Sequence, residues 1–148
     1  LIALDTDVLA VYYIFKWDKR FETATLVIDS EDEKAITIVN MLELAGLMAI
    51  SQGGVKALRL VEHIKRRRDF RILSWQSWSD PTVFASKALE YITTRRSPFS
   101  DALIGWILED NGVDTLLSWN KTHFGSRYSF DVLTPEEYLM KKRRPDNI

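Results

Sequence analysis

The chain opens Leu1-Ile2-Ala3-Leu4-Asp5-Thr6-Asp7-Val8-Leu9-Ala10-Val11-Tyr12-Tyr13-Ile14-Phe15. Four apolar residues run into two carboxylates one residue apart, and the apolar run then resumes. Taking a carboxylate out of water is costly unless a cation or hydrogen-bond donors meet it. Asp5 and Asp7 therefore cap a helix or hold a cation. The stretch reads as a short strand, Ile2 to Thr6, followed by a helix from Val8 to Phe15.

Outward from that unit, strand and helix patterns alternate. Phe21, Ala24, Thr25 and Ile28 have helical spacing, and Ala35 to Ile38 reads as a strand that runs into an apolar helix from Asn40 to Ile50. Gly53-Gly54 breaks that helix. A helix follows over Val55 to Lys65, then a strand over Phe70 to Trp75. Asp80-Pro81 starts a helix that ends near Arg96. Ser100 is read as the cap of the next helix, which is apolar almost all round and is stopped by Gly112. Strands are expected at Thr115–Trp119 and Phe130–Leu133, and Thr134-Pro135-Glu136-Glu137 is a capping box for a terminal helix. The alternation predicts an α/β fold, helices on both faces of a central parallel β-sheet. No repeat, low-complexity tract or linker divides it, so residues 1–148 are expected to form one domain.

Composition narrows the chemistry. There is no cysteine, so disulfides and thiolate metal sites are excluded. Two histidines make an imidazole-rich zinc site a poor fit. A hard cation held by oxygen remains open. The net charge of −1 is no global nucleic-acid footprint. The basic runs Lys65–Arg68, Arg95-Arg96 and Lys141–Arg144 read first as solvated helix ends and second as phosphate contacts. The longest apolar stretch, Ala35 to Ile50, carries Glu43 in its middle and is short for a membrane span.

In a parallel sheet, ligands gather at the carboxyl ends of the strands near the change in strand order. Asp5 and Asp7 are delivered there by the first strand. Glu43 is the sole charge in an apolar helix, Asp101 stands in the first turn of another, and Asn120 follows the Thr115–Trp119 strand. Each alone has a plain reading as a cap, a turn residue or a solvated side chain. Together, several carboxylates repel one another unless a cation neutralises them, and Mg²⁺ or Mn²⁺ is the natural partner.

With these residues in hand, the chain resembles the PIN-domain ribonucleases, particularly the VapC-like toxins. The resemblance rests on Asp5-Thr6-Asp7-Val8-Leu9, Ile38-Val39-Asn40-Met41-Leu42-Glu43-Leu44, Ser100-Asp101-Ala102-Leu103-Ile104 and Ser118-Trp119-Asn120-Lys121-Thr122-His123-Phe124, with Val132 to Glu137 downstream. It implies a three-layer α/β/α PIN-like fold and a metal-dependent endoribonuclease. Asp5, Glu43 and Asp101 would be catalytic and hold Mg²⁺ or Mn²⁺, with Asn120 where a fourth Asp often stands. Asp7 falls where the family often has Asn, and Thr6 would support a metal-holding carboxylate. Lys121, Arg95 and Arg96 are the candidate contacts to RNA. The resemblance further implies a cytoplasmic toxin of a type II toxin–antitoxin pair, with a cognate antitoxin, a homodimer and no membrane partner.

Two rivals stand beside it. One is a catalytically silent PIN-like domain binding RNA or protein, favoured by Asn120. The other is a haloacid-dehalogenase-type phosphohydrolase, whose opening Asp-x-Asp pattern Asp5-Thr6-Asp7 matches but whose late acidic pair is missing. His123 reads as structural or peripheral, because this metal chemistry asks for no imidazole. Trp75, Trp78, Trp106 and Trp119 read as core or interface, and so do Tyr12, Tyr13 and Phe15.

Overall fold

Ile2–Leu4 forms strand β1, and β1 takes the centre of the sheet. The computed structural model describes residues 1–77 and 80–144; Trp78 lies outside them. In chain order β1 is followed by α1 (Thr6–Tyr13), α2 (Phe21–Ile28), β2 (Lys34–Thr37), α3 (Ile38–Gln52) and α4 (Gly54–Arg66). Next come β3 (Phe70–Leu73), α5 (Pro81–Arg95), α6 (Phe99–Asp110), β4 (Thr115–Leu117), a 3-10 turn (Lys121–His123), β5 (Asp131–Leu133) and α7 (Pro135–Arg143).

Among the described residues the sheet has five strands in the order β3-β2-β1-β4-β5, every pair parallel. Register follows the alternation of side chains. Leu4, Ile36 and Leu117 face a core built with α1 to α4, while Ala3, Ala35 and Leu116 face α6 and the segment Phe124–Phe130. The chain winds outward from β1 through β2 and β3, then crosses to the other side of β1 for β4. The change in strand order therefore falls between β1 and β4.

Most boundaries follow from local chemistry. Asp80 accepts from the backbone N–H groups of Thr82 and Val83, with Pro81 opening α5. Thr134 and Glu137 form the reciprocal capping box of α7. Gly53 holds a φ of 97°, in the left-handed region that suits glycine, and turns α3 into α4.

Three expectations are corrected. Ser100 does not cap α6: the cap position is Pro98, two residues earlier, and it makes no side-chain cap bond. Helix α1 begins at Thr6 rather than Val8, so of the two candidate caps it is Asp5 that serves, accepting from Thr6 N–H at 2.9 Å. Within the Lys65–Arg68 run, Arg67 is no solvated helix end. It pairs with Asp69 and donates to Tyr13 Oη at 3.2 Å and the Ile28 carbonyl at 3.1 Å. Trp106 is buried and Trp75 half-buried against it, as expected of core aromatics. No helix among the described residues is long and apolar enough to cross a membrane.

Candidate active site

The carboxyl ends of β1 and β4 carry the polar residues that the sheet interior cannot accept. Asp5 leaves β1 buried, and its carboxylate is met from three directions. Oδ1 accepts from Thr6 N–H at 2.9 Å and from the Asn40 amide at 3.1 Å; Oδ2 accepts from Ser118 Oγ at 2.8 Å. These bonds tie β1 to the start of α3 and the end of β4. Asn40 is itself buried: its amide also donates to Thr6 Oγ1 at 2.9 Å, and its carbonyl accepts from Thr37 Oγ1 at 2.7 Å. Thr6 Oγ1 in turn donates to Glu43 Oε1 at 2.7 Å. Thr6 thus links the Asp5 cluster to the half-buried Glu43.

Asp7 stands on the other flank. Its Oδ2 accepts from Trp119 N–H at 2.9 Å and its Oδ1 from Val8 N–H at 2.8 Å. Asp101 is buried at the first turn of α6, with His123 Nδ1 at 3.1 Å from its Oδ2. The far ring nitrogen, Nε2, lies 2.7 Å from the Asn120 amide nitrogen. An amide N–H donating to Nε2 leaves the proton on Nδ1, directed at Asp101. Of the two readings of His123, structural or peripheral, the contacts with Asp101 and Asn120 favour the structural one. Asn120 is exposed; it reaches Asp101 through His123 and meets Ser118 Oγ through its own backbone N–H at 3.0 Å.

Electrostatics mark these acids out. Burial, with the Asp7 charge next in size and that of Asp101 adding to it, pushes the Asp5 carboxyl up to about 7. Asp7 is also raised, first by burial, with bonds from Trp119 and Val8 working against the shift. Asp101 is raised by burial and by the charge of Glu43, while His123 opposes it. On all three, burial, joined by mutual repulsion at Asp5 and Asp101, outweighs the opposing hydrogen bonds and the contributions of Arg20, His123 and Arg127.

The donors are mainly carboxylate oxygens, the ligand chemistry of Mg²⁺ and Mn²⁺. Among the described residues no three acidic or imidazole groups close into a metal cage. Mg²⁺ does not need one, because it keeps several waters and is held by one or two carboxylates together with substrate phosphates. The residues fit an open cation site on the Asp5–Glu43–Asp101 side of the cleft.

The three candidate RNA contacts are placed unequally. Lys121 pairs with Glu137 at 2.8 Å and Arg95 with Glu109 at 3.0 Å; Arg96 is exposed. Asn40 and Ser118 belong to the site although sequence reasoning did not assign them to it. Their signal was thin: each is a short polar residue at the start of a helix or the end of a strand.

No family model and no curated protein matches the chain. Solved structures do. FitAcB from Neisseria gonorrhoeae is 19% identical with a TM-score of 0.62, over 92% of this chain and 99% of that one. VapBC-1 from nontypeable Haemophilus influenzae is 14% identical with a TM-score of 0.60, over 91% and 98%. The Sarcin-Ricin loop cleaving toxin VapC20 of Mycobacterium tuberculosis is 18% identical with a TM-score of 0.58, over 78% and 87%. The likeness establishes the PIN-like fold.

Proposed function

We propose that this chain, built on the fold it shares with those toxins, is a Mg²⁺- or Mn²⁺-dependent endoribonuclease and the toxin of a type II toxin–antitoxin pair. The observation that carries the reading is the Asp5 carboxyl. It is buried at the change in strand order and is pushed up to about 7 by burial, then by the charge of Asp7, with that of Asp101 adding to it.

Asp5, Asp101 and Glu43 would hold the ion. Once bound, a divalent cation lowers the pKa of a water and stabilises charge on the phosphoryl oxygens. The chain's own residues supply orientation. Asn40 and Ser118 fix the Asp5 carboxylate, Thr6 fixes Glu43, and His123 holds Asp101. None of these steps uses a side-chain nucleophile. The same reading supplies an antitoxin and a second copy of the chain as partners. Leu42, Ile50, Val55 and Leu58 on α3 and α4 are exposed apolar residues of the kind such partners cover.

The test is cleavage of a labelled mixed RNA pool with Mn²⁺, Mg²⁺ or EDTA, beside Asp101→Asn. Cutting is expected with either metal and is expected to disappear in EDTA and in the variant. Cutting that survives EDTA would sink the reading. A silent RNA- or protein-binding domain draws on the absence of a closed cage among the described residues; it predicts no cutting under any condition.

The Asp5 proton sets a pH dependence. With its folded value at about 7, the carboxyl must lose a proton to take a cation at lower pH. Divalent affinity is therefore expected to weaken as pH falls below 7, on the order of tenfold per unit for one competing proton, and to level off above it. Calorimetric Mn²⁺ titrations across this range check it, and a flat profile contradicts it.

A further inference from the structure

The loop joining α1 to α2 reads Phe15-Lys16-Trp17-Asp18-Lys19-Arg20. Trp17 is 82% exposed. An indole left in water on a charged loop forgoes burial of a large apolar surface. The loop around it is nonetheless well ordered by its own bonds. Asp18 takes both Arg20 Nε and Nη2 at 3.0 Å and caps the Arg20 backbone N–H at 2.8 Å. That grip lays the Arg20 guanidinium over the Trp119 ring, 4.6 Å from its centroid. Trp119 is the residue whose N–H donates to Asp7. Arg20 thereby anchors the loop at the rim of the carboxylate cleft, close enough for its charge to act on Asp7.

Phe15 braces Trp17 in an edge-on contact, with centroids 6.1 Å apart. Lys16 and Lys19 flank Trp17 closely in sequence and are exposed, Lys19 beside the indole and Lys16 on a separate hollow with Tyr12 and Phe21, and neither is in an ion pair among the described residues. Trp17, Asp18, Lys19 and Arg20 line an open hollow of about 600 Å³. Three cations and one acid give the loop a net charge of +2 beside a free aromatic face. A peptide partner covering an indole calls for an apolar collar; apart from the Phe15 edge, the residues beside this indole are charged and net positive. A π-faced polyanion matches it.

We infer that the Lys16–Arg20 loop is a docking platform for single-stranded RNA, with Trp17 stacking a base and Lys16 and Lys19 neutralising the flanking phosphates. The inference rests on the nuclease reading and names the route by which substrate reaches the cleft. Arg20 is the positioning residue that sets the platform against it.

The platform lies outside the carboxylate cluster, so it must work without metal. The test is fluorescence anisotropy with a short, unstructured, fluorescein-labelled RNA in EDTA, where no cleavage intervenes. Trp17→Ala is expected to weaken binding by about tenfold, the loss of one stacked base. The pair Lys16→Gln and Lys19→Gln is expected to lower the salt slope by about 1.4, two phosphate contacts on a single strand. All three residues are exposed, so thermal midpoints should stay unchanged, which removes misfolding as an explanation. Absence of binding by the wild-type chain in EDTA, or equal affinity and slope in the variants, overturns the platform. Either can occur while metal-dependent cleavage persists, so the platform and the nuclease reading fail separately. Equal affinity would reassign the exposed indole to a protein contact.

Discussion

Asp5→Asn is expected to abolish RNA cleavage and to make the metal-free protein more stable above neutral pH. The two effects share one cause. Unfolded, Asp5 titrates near 3.8; folded, it is held up at about 7, chiefly by burial and then by the Asp7 charge. Between those values the unfolded chain releases a proton that the folded chain keeps. Stability from this group is therefore complete below about 4 and falls as pH rises, with the full penalty present above 7. Each unit corresponds to about 1.4 kcal/mol. Allowing for relaxation around the charge, the penalty is on the order of 2 kcal/mol.

An amide removes that charge and keeps the bonds. Its oxygen can accept from Thr6 N–H and Asn40, and its NH₂ can donate to Ser118 Oγ, which then turns its own proton to Asp7 Oδ2, 3.4 Å away. Urea unfolding in EDTA at pH 8 should give a higher midpoint for the variant than for the wild-type chain. Cleavage with Mn²⁺ should fall on the order of a thousandfold, about 4 kcal/mol of transition-state stabilisation. If Asp5 were only the cap of α1, the result would invert: a stability change of at most about 1 kcal/mol and cleavage intact.

Asn40→Ala should be the most damaging substitution at a residue that touches no substrate. One buried amide serves Asp5, Thr6 and Thr37 together. Its removal strips a donor from a buried carboxylate and leaves the Thr37 hydroxyl without its acceptor. A stability loss of about 3 kcal/mol is expected, the scale of a broken buried network. Cleavage should fall by about 10- to 100-fold through misorientation of Asp5 and Glu43. Urea unfolding measures the first and a cleavage time course the second. Unchanged stability would show that the network carries no weight.

Part of this was legible in the sequence. Apolar runs that end in turn residues, the Asp80-Pro81 start, the Gly53 break and the Thr134–Glu137 box all act over a few residues. Such local signals are enough to locate the strands and helices. Asp5, Glu43 and Asp101 stood out because each is a charge in an apolar setting. Asn40 and Ser118 did not stand out. Their partner Asp5 is 35 and 113 residues away, and a short polar side chain at a helix start or strand end has a sufficient local explanation. The choice between Asp5 and Asp7 as the cap has the same origin. Both could cap α1, and only the turn out of β1 decides which does. His123 reaches Asp101 because the 3-10 turn folds the segment after β4 back toward α6. Trp17 carries no such signal, because a lone indole among lysines has no periodicity.

The central claim is that Asp5 and Asp101 are two walls of one cation site. Calorimetric titration of Mn²⁺ into the wild-type chain, Asp5→Asn and Asp101→Asn at pH 8 tests it most directly, without reliance on any RNA target. A binding step in the wild-type chain that is lost or strongly weakened in both variants is the predicted result. Unchanged Mn²⁺ affinity in both variants would contradict it, and the two carboxylates would then be structural.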